Sequence, residues 1–150
     1  MRLASGVLCV GITLLLLGCG SKDGGPQTSS GDSRLEGTYT LIETEMKGLR
    51  GKETEKDRIY TFSGDKLILP KGKPEEAATI KCDPNANPAE ITISKTEDSG
   101  KVDTTFGIYK IEGDTLTICM IKSDNSADRP KEFKTSKGSK EMILVLQKNK

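Results

Sequence analysis

Histidine is absent from this chain of 150 residues, so any chemistry it performs must come from carboxylates, cationic side chains, hydroxyls or its four cysteines. Without imidazole, Ser-His-Asp and Cys-His arrangements cannot be assembled, nor can a histidine-ligated metal site. Carboxylate pairs occur only as sequence neighbours such as Glu75-Glu76, and adjacency alone does not place two acids across a cleft. In "DPNANP", Asp83, Asn85 and Asn87 alternate like the first ligands of a calcium loop. Pro88, however, stands where that loop needs Gly, and Ser94 where it needs a bidentate Glu. The hexapeptide therefore reads as a turn. "GLRGKE", from Gly48 to Glu53, lacks the spacing and the Ser/Thr of a phosphate loop and reads as a turn too. No catalytic, cofactor-binding or metal-binding residue is assigned, and the expectation is a non-enzyme.

The cysteine with a definite expected chemistry is Cys19. Arg2 supplies a positive start, Val7 to Leu17 an apolar stretch shorter than the about 20 residues of a spanning helix, and Gly18 a small residue before Cys19. The ending "LLGC" resembles the lipobox of bacterial lipoproteins. That resemblance implies residues 1–18 as a cleaved signal peptide and Cys19 as an acylated first mature residue, which two or more chains hold firmly in a membrane. Ser21, in place of Asp two residues after Cys19, resembles the outer-membrane sorting pattern, so the expected address is the cell envelope, outside the cytoplasm. Residues 19–33, including "GSKDGGPQTSSGDS", carry no large apolar side chain and read as a flexible tether. Losing Arg2 leaves basic and acidic side chains equal in number, which argues against a nucleic-acid partner. Arg129, Lys131, Lys134, Lys137 and Lys140 crowd one region and read as a lysine-protected strand edge, with a binding patch as the alternative.

Residues 34–150 must position whatever remains, and they read as strands. In "GIYKIEGDTLTIC", a hairpin turn centred on Gly113-Asp114 sets Ile111 against Leu116, Tyr109 against Ile118 and Ile108 against Cys119. In "YTFSGDKLIL", Gly64-Asp65 does the same for Phe62 with Leu67 and Tyr60 with Leu69. Gly at the first central position fits a type II′ turn, which needs φ > 0 there. Thr38 to Met46, Ala78 to Cys82, Glu90 to Lys95 and Lys140 to Gln147 complete eight strands; only Leu49 to Asp57 is open to a helical turn. Closure removes exposed edges, so the expected fold is all-β, an eight-stranded antiparallel up-and-down barrel, either hollow or filled.

"GTYTLIETEMKG", then "GIYKIEGDTLTIC" and "RPKEF" (Arg129 to Phe133), resemble an uncharacterised lipocalin-like family of planctomycete bacteria with the signature G-I-Y-x-x-x-G-D-x-L-x-x-C…R-P-x-x-F. The likeness spans Leu35 to about Leu146, with Tyr39 where the family usually has Trp and Thr92 where an Asp is common. It implies a lipocalin-like barrel and no assigned activity. As lipocalins set an Arg on their first-strand Trp, the likeness also implies Arg129, held extended by Pro130, as a clasp over the Tyr39 ring.

Parity then distributes the remaining candidates. Glu43 and Glu45 continue the inward face of Tyr39 and Leu41, unless a bend swaps faces and sends Ile42 and Met46 inward. Without the bend, Glu43 is a buried acid awaiting a ligand or cation. Cys82 faces in with Ile80 and Cys119 faces out with Ile108, so these thiols are expected to remain unpaired. A hollow barrel would be a binding module for a small apolar ligand, lined by Tyr39, Tyr60, Phe62, Tyr109, Ile111, Leu116 and Ile118. A filled one would be an envelope structural or protein-interaction module working through its loops.

Overall fold

The computed structural model describes residues 31–54 and 57–150; the expected signal peptide, Cys19 and the expected tether up to residue 30 lie outside the described residues. Nine strands follow in order: β1 (Gly37–Met46), β2 (Leu49–Lys52), β3 (Ile59–Ser63), β4 (Lys66–Ile68), β5 (Ala78–Asp83), β6 (Ala89–Thr96), β7 (Val102–Glu112), β8 (Thr115–Lys122) and β9 (Met142–Lys148). β1 and β3 to β9 pair antiparallel in sequence, and β9 returns to β1, so these eight strands close into an up-and-down barrel. The β7–β8 register sets Ile111 on Leu116, Tyr109 on Ile118 and Ile108 on Cys119. Phe62 likewise meets Leu67 across β3–β4. Gly113 and Gly64 have φ of 61° and 58° and neither following Asp is left-handed, the pattern of a II′ turn.

The ninth strand was not expected. Leu49 to Lys52 is not part of a helical turn but a strand, paired with Glu43 to Met46 on the edge of β1 that β3 leaves free. Its turn, Lys47-Gly48, has φ of 53° and 75°, and two successive left-handed residues are the requirement of a I′ turn. All four β2 residues are exposed, so no alternation of apolar residues marks the strand.

β1 does contain the bend. Its register against β9 shifts between Leu41, opposite Leu146, and Glu43, opposite Val145, leaving Ile42 as the extra residue. Glu43 and Glu45 thereby share a face with the outward Val145 and Ile143, and Arg50 bridges both acids at 3.1 Å. Glu43 is therefore not a buried acid. Ile42 does not go inward: as the bulged residue it is 41% exposed, whereas Met46 does share the face of the cavity-lining Met142, although at the strand's end it is 49% exposed.

The two ends of the barrel differ. At the end where β1 begins and β9 finishes, Leu35, in a 3-10 turn from Ser33 to Leu35, is buried among Tyr39, Tyr109 and Phe62. Tyr39 meets Phe62 edge to face at 5.6 Å. Asp32 caps the 3-10 turn, accepts 3.0 and 2.7 Å hydrogen bonds from the Arg34 guanidinium, and accepts one of 2.6 Å from the Tyr109 hydroxyl. Asp32 and Ser33, expected in the tether, belong instead to the folded unit, because Asp32 is buried and caps the turn that Ser33 begins. A Cβ on Gly31 would lie 2.2 Å from the Gly64 carbonyl oxygen, so this close approach requires glycine. The C-terminal strand finishes at the same end, where Asn149 N–H donates to the Thr38 carbonyl at 2.8 Å.

Between β8 and β9, residues 123–141 form a strap over the outer wall, not a strand edge; the basic residues expected on such an edge belong to this strap. Phe133 covers the outward Ile108, Cys119 and Ile143, making a second, smaller core outside the barrel. Thr135 Oγ1 accepts from Gly48 N–H at 2.9 Å and donates to Glu45 at 2.8 Å, tying the strap to the β1–β2 hairpin.

Burial pushes the Asp32 carboxyl up, but the hydrogen bonds from Arg34 and Tyr109 outweigh it and leave its pKa below the ordinary value of 3.8. A lowered carboxyl contributes stability that is complete above the unfolded-state pKa and is lost as pH falls through the folded value. Asp32→Asn is expected to cost about 1.5–3 kcal/mol at neutral pH, the range for hydrogen bonds to a charged group. It should also flatten the loss of stability below about pH 4. Urea unfolding of both proteins at several pH values measures the two effects.

Candidate functional site

Toward the opposite end, beyond Tyr60 and Phe62, inward positions carry small or flexible side chains. Ala78 and Thr105 leave room, and the unbranched Met120 and Met142 do not fill it. The result is a cavity of about 270 Å³ under the mouth. Of the expected lining residues, Tyr60, Phe62 and Ile118 face it. Tyr39, Tyr109, Ile111 and Leu116 do not, because they belong to the solid end, where Tyr39, Tyr109 and Leu116 are fully packed with Leu35. The barrel is thus filled in one half and hollow in the other.

Residues that sequence reasoning left out complete the wall: Leu67, Leu69, Ile93, Met120, Met142 and Leu144. The signal for most of them was present, because alternation carried onward from Ile118 reaches Met120 and from Ile91 reaches Ile93. One step further toward solvent, the same alternation ends in charge. Lys95 and Asp103 sit opposite each other on β6 and β7, and Lys122 faces Thr105 on β8. All four line the mouth. Lys122 donates a short hydrogen bond to Asp103, which draws the Asp103 carboxyl down and the Lys122 ammonium up.

Arg129 is not the clasp over Tyr39. The cation by that ring is Lys148, with Nζ 5.6 Å from the centroid. Arg129 lies against the outer wall of β6 and β7, where Nη1 donates to the carbonyls of Ile91 and Gly107, both at 2.7 Å, and Nη2 to Thr92 Oγ1 at 3.0 Å. Its Nε is 3.1 Å from Glu90, and its guanidinium carbon lies 5.3 Å from the centre of the Phe106 ring. Arg129 therefore pins the strap to the barrel, which is still a structural role.

Chemistry of the covalent kind is poorly provided for. Cys82 and Cys119 form no disulfide and lie on opposite sides of the wall, in the inner and outer cores respectively. Burial pushes both thiols up to about 11, so at neutral pH they are not thiolates. Among the described residues no group of three or more His, Cys, Asp or Glu could hold a metal ion. What the site can do is enclose an apolar body and present charge at its entrance.

Replacing Arg129 with Met removes charge-assisted bonds to two carbonyls and is expected to cost about 1.5–3 kcal/mol. Lys148→Met should cost no more than about 1 kcal/mol, the value of a cation over a ring that water still reaches. Denaturant midpoints of the two variants distinguish the pin from the bystander. Comparison of the chain with protein families, with curated proteins and with solved structures finds no match in any of the three.

Proposed function

We propose that this domain is a non-catalytic binding module that takes one small, mostly apolar molecule into the cavity under its mouth. The observation that carries the reading is the contrast between the two halves of one barrel: rings and a plug fill one, while a largely apolar void of about 270 Å³ occupies the other. That size is near the lower end, about 300 Å³, of cavities that hold small molecules, which fits a single-chain ligand better than a two-chain lipid. In the same reading Cys19 is acylated and anchors the domain in the cell envelope, on the outer membrane, and the chain is a member of the lipocalin-like family that its "GIYKIEGDTLTIC" segment resembles.

A second reading rests on a different observation. Leu49, 77% exposed, and Met46 stand at the tip of the β1–β2 hairpin beside the mouth, an apolar tip that an envelope protein could cover. In that case the barrel is scaffold and the hairpin does the work.

Native mass spectrometry of the full chain extracted from its own envelope separates the two. A co-purifying small mass that disappears in Met142→Trp, which fills the mouth, supports the carrier; a clean protein mass overturns it. Incorporation of radiolabelled palmitate in the unmodified chain and its loss in Cys19→Ser is expected, and no incorporation removes the anchor.

A further inference from the structure

The lining of the cavity changes from apolar to charged in a single step of strand alternation, and the charge is not balanced. Two lysines, Lys95 and Lys122, and one carboxylate, Asp103, line it. Asp103 is already engaged: it accepts from Lys122, lies 3.6 Å from Lys101 and is approached by Glu97, which does not line the cavity. Lys95 is half-buried beside Ile93 and has no ion-pair partner among the described residues. Across the strand pair it stands opposite Asp103, and Glu75, Glu76, Glu97 and Asp98 line a second groove that shares only Lys95 with the cavity. A half-buried lysine that lines both the cavity and the groove beside it is placed within reach of the polar end of a bound molecule.

Resting on the carrier reading, we infer that the ligand is an anionic amphiphile, one acyl or alkyl chain with a carboxylate or phosphate head. Its tail lies against Phe62, Ile118 and Met120, and its head is received by Lys95 and Lys122. Binding is a non-covalent exchange: the head takes the place at Lys122 that Asp103 holds in the empty site. A neutral amphiphile gains the same apolar contact and leaves the Lys122–Asp103 pair intact, whereas a cationic one meets two like charges.

The cavity carries its own reporters, because the methyl groups of Met120 and Met142 line it. The full chain, labelled at methionine methyls and held in nanodiscs, is titrated separately with decanoate, decyl phosphate, decanol and decyltrimethylammonium. Both signals are expected to move with decanoate and decyl phosphate at concentrations at least tenfold lower than with decanol. The order of the two anions distinguishes a carboxylate from a phosphate source, and either order supports the inference. Lys95→Gln combined with Lys122→Gln should erase the preference while decanol still shifts both methyls. Asp103→Asn should strengthen binding of the anions, a gain that mere loosening of the fold cannot produce. Decanol or the cation binding as well as decanoate, or a preference that survives the double substitution, overturns the anionic head and leaves the carrier standing. Silence of both methyls toward all four compounds overturns carrier and head together.

Discussion

β1 pairs along one edge with β9 and along the other with β3 and then β2, so a single strand joins both ends of the sheet. Without that joint the sheet would present two open edges of unpaired N–H and C=O groups, a template for aggregation. The joint also imposes a geometric demand, because β1 starts with Tyr39 and Leu41 facing in and continues with Glu43 and Glu45, which cannot. The extra residue at Ile42 resolves it. One bulged position rotates the rest of the strand, sends both acids to Arg50 outside, and lets Thr44 and Met46 face Leu144 and Met142. The barrel closes because β1 is bent.

Filling the barrel is then a matter of where the rings go. Tyr39, Tyr109 and Phe62 concentrate at one end, and Leu35 is added to them from outside the strands. Of the six aromatic residues in the whole chain only Tyr60 and Phe62 reach the other half, whose lining is finished with aliphatic side chains, Thr105 and methionines. The wall around the hollow half is reinforced from outside: the strap starts beyond β8, is fastened to β6 and β7 by Arg129, crosses Ile108 and Cys119 under Phe133, and is tied by Thr135 to the β1–β2 hairpin. A wall with its own outer core can keep its shape without side chains packed against it from within.

Local rules made much of this legible. The registers of Ile111 with Leu116 and of Phe62 with Leu67 follow from two Gly-Asp turns and the two-residue repeat of a strand. Those rules also place Cys119 on the outside. They could not show that Phe133 buries it there, because that contact depends on the path of the strap. Strand β2 escaped because Lys47 adopts a backbone conformation that lysine rarely takes, and because its residues alternate in nothing. Four of seven expected lining residues were misplaced for one reason. Inward-facing is a property of parity, whereas lining a void depends on depth along the barrel, and depth is set by which end the plug enters. Arg129 was assigned to Tyr39 through a likeness to other barrels; in this chain Lys148 is the cation by that ring and Glu90, Thr92 and two carbonyls hold Arg129.

Gly31 pressed against Gly64, and Asn149 bonded to Thr38, put both ends of the folded unit at its plugged base. The described chain therefore enters and leaves the barrel at its closed foot, and the void opens at the other end, as in a cup. Neither Gly31 nor Asn149 crosses the rim, so the way into the void is clear of both ends of the folded unit.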